Sequence, residues 1–506
     1  MYTIRIFFAI LFFSSINFAQ FNDTTGAWLK ADFHIHTNMS DGDISPSVIA
    51  KNAFEKYNLD LISITDHGGH FFRVNSDFQR IDNYGNVFSI LNYDSLMATD
   101  AKQYKNYSRS TQLKESSFPE VLRLREKYSD KIIMQGLEFN VPGHDHACIG
   151  IISENCNPIS EYQFIFDRND TLKSFNNLTK KFNDNNHYNA LLSLKFLQEN
   201  YNNKSYFIIN HPSRKLQYTI EEIRDLINVA PNVVIGFEGL PGHQINKNYR
   251  CKYSYEIGDQ DYYHSKTYGG ADFMLAKVGG LWDALLGEGR NFWVFANSDF
   301  HRPKEDSWPG EYAKNYLWMS EKNESLICEN LQKGKLFVVT GDLITDLDFS
   351  IEFENKNFYM GQHASTIRNS DIKIKIAFKD GLINFNNVKT SVDHVDLICG
   401  DIQDPIQPSE KKYKDPNNST TKVLKRFNKE EFSKNENDVY FVEFYYNLSK
   451  SQYFRIRGTN LPVNLQNEMD FNGNPLCDTS IGENNETNAW KDLWFYSNPI
   501  FVNIIN

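Results

Sequence analysis

Seven apolar, strand-like runs recur between residues 28 and 341, and stretches with the spacing of an amphipathic helix separate several of them. The runs cover residues 29–36, 59–67, 131–140, 147–153, 205–211, 232–238 and 291–301. The helical stretches cover residues 46–57, 118–128, 190–201, 220–228 and 271–286. Because strands that alternate with helices usually form parallel βα units, the pattern predicts an α/β fold. We expect a distorted seven-stranded (β/α)7 barrel, with an open doubly wound sheet as the alternative.

The pattern changes near residues 340–346, beyond which helical spacing almost disappears. Short alternating runs with turn residues between them cover residues 372–378, 395–398, 439–446, 453–458 and 494–502. We therefore predict a first domain over residues 28–341 and a small all-β sandwich over residues 345–506. Trp490 and Trp494 in the second domain are candidates for a carbohydrate-binding platform, with core packing as the alternative.

The N-terminus has the pattern of a secretory signal. Arg5 precedes an apolar run over residues 6–13, and a small residue, Ala19, precedes Gln20. The run is much shorter than the ~20 residues that a membrane-spanning helix needs. We expect a signal peptide over residues 1–19, a secreted or periplasmic location, and no membrane span in the mature chain.

The charge balance excludes some classes of partner. Lys and Arg number 53 against 64 Asp and Glu, so the formal net charge is −11. An acidic chain is a poor candidate for a nucleic-acid coat or a polybasic membrane-surface protein, and we expect no nucleic-acid partner. The content of hydrophobic residues, 41%, is ordinary for a globular protein and excludes wholesale disorder. The oligomeric state is left open.

Histidine and acidic residues recur at the ends of the strand-like runs. His34 and His36 lie two residues apart, so a strand places both imidazoles on one face. Further side chains of this type follow at or near strand ends: Asp41, Asp66, His67, Glu138, His211, Asp299 and His301. In parallel βα folds the carboxyl ends of the strands converge on the active site. We therefore expect these side chains to meet in one site.

The chemistry of this set predicts metal binding. Imidazole nitrogen and carboxylate oxygen without cysteine suit Zn²⁺, Mn²⁺ or Fe²⁺. The donors exceed what one ion needs, so we expect two or three divalent ions. Closely spaced ions provide a metal-activated hydroxide near neutral pH and hold the attacking and leaving oxygens of an in-line displacement. The set therefore favours a metal-dependent hydrolase.

Taken together, these motifs resemble the PHP (polymerase and histidinol phosphatase) superfamily over about residues 28–341. The motifs that carry the resemblance are His34-Ile35-His36-Thr37, Ser40-Asp41-Gly42, Thr65-Asp66-His67, Gly136-Leu137-Glu138, Asn210-His211-Pro212 and Ser298-Asp299-Phe300-His301. The resemblance implies a distorted seven-stranded PHP barrel with a trinuclear metal cluster that typically hydrolyses phosphoesters. It implies eight metal ligands at matching positions: His34, His36, Asp41, His67, Glu138, His211, Asp299 and His301.

A ninth ligand is expected from a histidine shortly after Glu138. Both His144 and His146 occur there, in Gly143-His144-Asp145-His146. We prefer His146 because it leads directly into the strand-like run over residues 147–152.

A looser resemblance concerns the segments at residues 282–286, 331–340 and 495–500. They are similar to secreted carbaryl-hydrolase-type (CehA/McbA-like) metallohydrolases, which pair the barrel with a β-domain. This similarity implies that the small-molecule ester substrate is a carboxylester or a carbamate as an alternative to a phosphoester. We expect a secreted phosphoesterase; the alternatives are a carboxylester, carbamate or amide hydrolase on the same site, or a non-catalytic metal-binding protein.

Four further residues are candidates for catalytic roles. Asp66 lies beside a ligand histidine and could orient an imidazole, with structural capping as the alternative. His243 follows the sixth strand-like run and could protonate a leaving group; a loop histidine is the alternative. Arg214 and Arg302 each follow a ligand and could hold a phosphate, with surface ion pairs as the alternative.

Overall fold

Strands dominate the computed structural model of the chain. It describes residues 26–67, 109–242, 266–463, 465–466, 468–470, 472–478 and 489–505, and the backbone of three short strands between residues 73 and 89. Within these residues the strands form one sheet of fifteen strands, one of five, one of three and one of two. None of the helices in this part is long and apolar enough to cross a membrane. The expected signal peptide, residues 1–19, lies outside the described residues.

The strands are numbered in chain order. They are β1 (Ala27–Asp32), β2 (Leu61–Ile64), β3 (Arg73–Val74), β4 (Gln79–Ile81), β5 (Val87–Ser89), β6 (Ile132–Asn140), β7 (His146–Ile151), β8 (Ser205–Ile209), β9 (Val234–Pro241), β10 (Thr267–Tyr268), β11 (Ala271–Asp272), β12 (Trp293–Asn297), β13 (Ala313–Met319), β14 (Leu336–Thr340), β15 (Ile344–Phe353), β16 (Lys356–Tyr359), β17 (His363–Thr366), β18 (Ser370–Asp380), β19 (His394–Asp401), β20 (Lys422–Asn428), β21 (Ser433–Lys434), β22 (Val439–Leu448), β23 (Gln452–Thr459), β24 (Trp494–Ser497) and β25 (Ile500–Ile504).

The described α-helices are short, and the longest has 15 residues. π-Helical segments over Asn52–Lys56 and Leu113–Ser117 continue two of them. They are α1 (Pro46–Lys51), α2 (Arg109–Gln112), α3 (Phe118–Lys127), α4 (Asn157–Phe166), α5 (His187–Tyr201), α6 (Ile220–Val229), α7 (Phe273–Ala276), α8 (Leu281–Leu286) and α9 (Ile327–Lys333). The single helix expected over residues 271–286 is broken into β11, α7 and α8. Gly279, with φ of 76°, and Gly280 separate the two helices, since glycine adopts this left-handed conformation without strain.

The prediction of a distorted (β/α)7 PHP barrel is wrong. The large sheet has the order β12-β9-β8-β7-β6-β2-β1-β13-β14-β24-β23-β19-β20, and most of its neighbouring strands are antiparallel. Only residues 141–145 connect β6 to β7. A crossover between parallel strands needs a dozen or more residues, so these two strands must pair antiparallel. The fold is therefore a mixed sheet in which helices do not separate every pair of strands.

The large sheet continues through the expected domain boundary. β24 pairs with β14, where Phe337 lies opposite Ser497. The five-stranded sheet, in the order β16-β15-β18-β22-β21, packs against this sheet through ring contacts such as Phe378 on Phe495, with centroids 6.3 Å apart. The C-terminal strands thus extend the sheet of the N-terminal part, where a separate small sandwich was expected.

The buried apolar core spans both parts of the chain. One cluster runs from Leu29 on β1 through Phe237 on β9 to Phe501 on β25. Trp490 and Trp494 belong to it, with 7% and 0% of their surface exposed. Neither ring can therefore serve as an exposed carbohydrate platform.

One end of the sheet gathers the segments that carry the histidines. His36 N donates to Phe300 O, Thr65 N to Ile35 O, and Glu138 N to Thr65 O, each at 2.9 Å. These bonds join the residues just beyond β1, β2 and β12 to one another and to β6. The carboxyl ends of the parallel strands and the first residue of the antiparallel β7 therefore meet at one place.

Candidate metal centre

Glu138 on β6 lies at the centre of a buried cluster of imidazoles. Its side chain is 1% exposed. The distances from its Oε1 are 3.2 Å to His34 Nε2, 3.0 Å to His146 Nδ1 and 3.3 Å to His211 Nε2, and those from its Oε2 are 3.0 Å to His36 Nε2 and 2.9 Å to His67 Nε2. The two oxygens of one carboxylate thus face two different sets of nitrogen donors.

Asp299 completes one group of four ligands with His34, His36 and Glu138. Its Oδ1 lies 3.1 Å from His34 Nε2 and 3.3 Å from His36 Nε2, and the two Nε2 atoms are 3.0 Å apart. Among the described residues no hydrogen-bond donor is aligned with this buried oxygen. These buried nitrogen and oxygen atoms direct their lone pairs toward one another, and this arrangement suits a cation between them.

Two further groups adjoin the first and share ligands with it. One consists of His67, Glu138 and His146, and the other of His36, Asp41 and His301. Asp41 Oδ2 lies 3.5 Å from His301 Nε2 and 3.9 Å from His67 Nε2. The buried His, Asp and Glu side chains can therefore hold metal ions, and the groups lie side by side.

The preferred protonation state differs among the rings of the cluster. Burial opposes ionisation of Glu138, but the imidazoles of His67, His146 and His34 outweigh it and hold its pKa well below the usual range. Burial lowers the pKa of His67 to about 3 and also lowers that of His146, so both rings keep a lone pair for a ligand. Burial opposes protonation of His34 and His36 as well, but the neighbouring carboxylates outweigh it and raise the pKa of both rings well above the usual range. A metal ion at these two rings would therefore replace their protons, whereas His67 and His146 have none to lose.

The backbone is strained at two of the ligands. His211 has φ of 30° and Asp299 has φ of 46°, values that are uncommon for residues other than glycine. Each lies just after a strand, β8 or β12. Such strain persists where the surrounding structure enforces it, and it concentrates at functional sites.

The sequence did not identify two buried carboxylates that lie next to imidazoles on the side of the ring away from Glu138. Glu238 Oε1 lies 2.7 Å from His34 Nδ1, on the opposite side of the ring from Glu138. Asp145 Oδ2 lies 3.3 Å from His211 Nδ1. Glu238 ends its strand-like run as His211 does, so its position was an available signal, whereas nothing marked Asp145 beyond its neighbouring histidines.

The structure separates the two histidines that compete for the ninth position. His146 lies beside Glu138. The Nδ1 of His144 lies 2.7 Å from Gln217 O, and its Nε2 lies 2.8 Å from His187 Nδ1. His146 therefore belongs to the central cluster, and His144 faces another part of the molecule.

Arg214 and Arg302 occupy different positions relative to the cluster. Arg214 donates to both oxygens of Asp145, at 3.0 and 2.8 Å, and its Nη2 lies 3.3 Å from His146 Nδ1. Arg302, 33% exposed, lies 3.6 Å from Asp43 Oδ2. Arg214 thus adjoins the cluster while paired to an acid, and Arg302 lies in a more exposed ion pair.

Asp66 supports the loop that carries Asp41. It accepts hydrogen bonds from Thr37 N and Thr37 Oγ1, each at 2.8 Å, and from Ser40 Oγ at 2.5 Å. These contacts cap the loop after β1, as the structural alternative for Asp66 expected. His243, the fourth catalytic candidate, lies outside the described residues.

Comparison with known proteins identifies no family for this chain. No protein-family model matches the chain, and no curated protein matches it. An assignment of function therefore has to rest on the geometry of the cluster and on the chemistry of its side chains.

Proposed function

We propose that the chain is a metal-dependent hydrolase that acts on phosphoesters. Nine side chains would hold two or three divalent ions of zinc, manganese or iron: His34, His36, Asp41, His67, Glu138, His146, His211, Asp299 and His301. The observation that carries the proposal is the position of Glu138, whose two oxygens face two different sets of imidazoles. A carboxylate placed in this way can bridge neighbouring ions.

When bound, closely spaced ions activate water near neutral pH and stabilise the charge on the attacking and leaving oxygens. The residues of the chain set the geometry of that reaction. Glu238 orients the His34 ring by accepting from Nδ1. Asp145 lies 3.3 Å from His211 Nδ1 and provides a negative charge beside that ring. Arg214 neutralises Asp145 through two hydrogen bonds.

Phosphoesters fit this centre because their hydrolysis places negative charge on several oxygens at once. Three cationic side chains lie near the ligands in space or in the chain although the whole chain is acidic, and each of them is paired with an acid. Arg214 and Lys215 lie within 2.8 and 3.5 Å of Asp145, and Arg302 lies next to His301 in the chain. The expected signal peptide places this activity outside the cytoplasm.

The test compares metal content and activity in matched variants. The chain without residues 1–19 is purified, reconstituted with Zn²⁺ or Mn²⁺, and analysed for bound metal. Hydrolysis of p-nitrophenyl phosphate, a phosphodiester, a carboxylester and a carbamate is then measured. Glu138→Gln should lose bound metal and phosphate release together. His363→Gln, at an exposed histidine outside the cluster, should keep both.

Each other outcome contradicts a defined part of the proposal. No bound metal after reconstitution would refute the metal centre. Bound metal with turnover of only the carboxylester or the carbamate would show that one of these compounds, and not the phosphoester, is the type of substrate. Bound metal without turnover of any of the four substrates would favour the alternative of a secreted, non-catalytic metal-binding protein.

A further inference from the structure

A buried arginine beside the metal centre has no hydrogen-bond partner among the residues that the structure describes. Arg109, at the start of α2, is 2% exposed. Its Nε, Nη1 and Nη2 are all buried, and none of them forms a hydrogen bond in the part of the chain that the structure describes. Buried charged groups are normally paired, because removing an unpaired charge from water is very costly.

Arg109 lines a small cavity next to a candidate metal ligand. The cavity has a volume of about 10 Å³, and His67, Asp66 and Gln163 also line it. Gln163 is completely buried, and its Oε1 and Nε2 likewise have no hydrogen-bond partner among the described residues. The space accommodates about one water-sized atom, such as one oxygen of a larger anion.

The acidic side chains near Arg109 are already engaged. Asp167 accepts from the backbone and side-chain nitrogens of Asn140, and Asp170 accepts from Ser110 Oγ at 2.6 Å and Lys181 Nζ at 2.8 Å. Burial lowers the pKa of Arg109 to about 10, which leaves the guanidinium charged at neutral pH. It thus retains unused donors for an anionic oxygen.

We propose that Arg109 and Gln163 form a subsite that receives one nonbridging oxygen of a phosphate monoester. This inference rests on the proposed function and narrows its substrate class. A monoester has one more nonbridging oxygen, and more negative charge, than a diester. One of its oxygens can therefore contact the Arg109 guanidinium while the others contact the metal centre on the side where His67 lies. Inorganic phosphate, the product of monoester hydrolysis, binds at the same place.

The first measurement is the affinity of the metal-loaded protein for inorganic phosphate, by isothermal titration calorimetry, with bound metal quantified in every variant. Arg109→Gln should weaken phosphate binding roughly ten- to a hundredfold, the usual effect of losing hydrogen bonds to a charged group. Gln163→Leu should weaken it severalfold. Arg123→Gln, which removes a 42% exposed arginine on α3, should leave it unchanged.

The second measurement is kcat/KM for a monoester and a diester. Arg109→Gln should lower the value for the monoester more than the value for the diester. Equal phosphate affinity in Arg109→Gln and the wild type, at equal metal content, would overturn the subsite. If Arg109→Gln loses metal, Arg109→Lys, which keeps the charge but not the fork of donors, decides instead: weaker phosphate binding supports the subsite, and unchanged binding overturns it.

The subsite and the reaction fail in different ways. Metal-loaded wild type that binds no phosphate overturns the subsite, whatever the protein hydrolyses. Phosphate binding that depends on Arg109, without turnover of any phosphoester, supports the subsite and refutes the proposed reaction.

Discussion

Individual carboxylates behind the imidazoles determine how the ligands are presented. Glu238 on β9 is completely buried and accepts three hydrogen bonds, from His34 Nδ1 at 2.7 Å, Asn297 Nδ2 at 2.9 Å and His211 N at 3.0 Å. Contacts of this kind set the tautomer and the orientation of a ligand ring. Glu238 therefore places the Nε2 of His34 toward Glu138.

We expect Glu238→Gln to weaken metal binding roughly ten- to a hundredfold, because the substitution removes the charge that orients and polarises His34. Chelator competition with Zn²⁺, followed by elemental analysis, measures the effect. Glu329→Gln, an exposed acid on α9, is the matched control. Wild-type affinity in Glu238→Gln would show that this carboxylate does not support the ligand.

A partly buried acid in the C-terminal part affects stability through pH. Burial raises the pKa of Asp348 on β15 to about 6, with a contribution from Asp346, and its Oδ1 has no hydrogen-bond partner among the described residues. The unfolded chain releases this proton near the ordinary value of 3.8. Between these two values the folded state binds more protons, so stability decreases as the pH rises through this window.

Asp348→Asn should therefore stabilise the protein at pH 7.5 by about 1–3 kcal/mol, and by less at pH 5. Urea unfolding at both pH values measures the difference. Asp404→Asn, at an exposed position, should change stability little at either pH. A gain of the same size for Asp348→Asn at pH 5 and pH 7.5 would contradict the assigned pKa.

At the scale of single elements, α6 has a well-defined start. Thr219 Oγ1 accepts from Glu222 N at 3.4 Å, and Glu222 Oε2 accepts from Thr219 N at 2.9 Å, which is a capping box. Ile223 and Leu226 on the same helix are completely buried. The box fixes where the loop after His211 ends and the helix begins.

Replacing Thr219 by alanine should cost about 1 kcal/mol of folding free energy, because one helix-end N–H loses its acceptor. Thr219→Ser keeps the hydroxyl and should retain most of the stability. Urea unfolding of the two variants provides the comparison. If serine were as destabilising as alanine, packing of the threonine methyl group, and not the cap, would be responsible.

At the scale of the whole molecule, a buried ion pair joins the N-terminal part to the C-terminal strands. Arg455 on β23 donates to both oxygens of Asp283 on α8, at 2.9 and 2.8 Å, and Tyr453 donates to the same carboxylate at 2.9 Å. The Arg455 guanidinium lies 4.8 Å from the ring centroid of Trp282. Both charged groups are at most 1% exposed, so each depends on the other as its counter-charge.

We expect Arg455→Met to destabilise the protein by about 3–5 kcal/mol, because it leaves Asp283 buried without its counter-charge. The double variant Asp283→Leu/Arg455→Met should be more stable than the sum of the single effects predicts. Urea unfolding of the four proteins in this cycle tests the coupling. Lys425→Met, which removes an exposed ion pair with Glu431, should cost at most ~1 kcal/mol. Strictly additive effects at Asp283 and Arg455 would contradict the coupling.

The sequence alone was sufficient for features that depend on short segments. The spacing predicted helices from residues 118 and 220. α6 begins at residue 220, whereas helical backbone over Leu113–Ser117 already precedes α3. Side-chain type and position at or near the ends of strand-like runs also selected eight residues that the structure brings to one cluster, and the resemblance to a known family added His146. Strand periodicity and helix capping are properties of neighbouring residues, so a short segment of sequence is enough to predict them.

Only the tertiary structure decided the strand order and the partners of the buried charges. The reversal of β7, the pairing of β1 with β13 and the pairing of β14 with β24 depend on which distant segments meet. The same is true of Glu238 behind His34 and of Arg109 beside His67. Apolar patterning shows which face of a strand is buried, but it does not show which strand lies next to it or which charges the packed interior brings together.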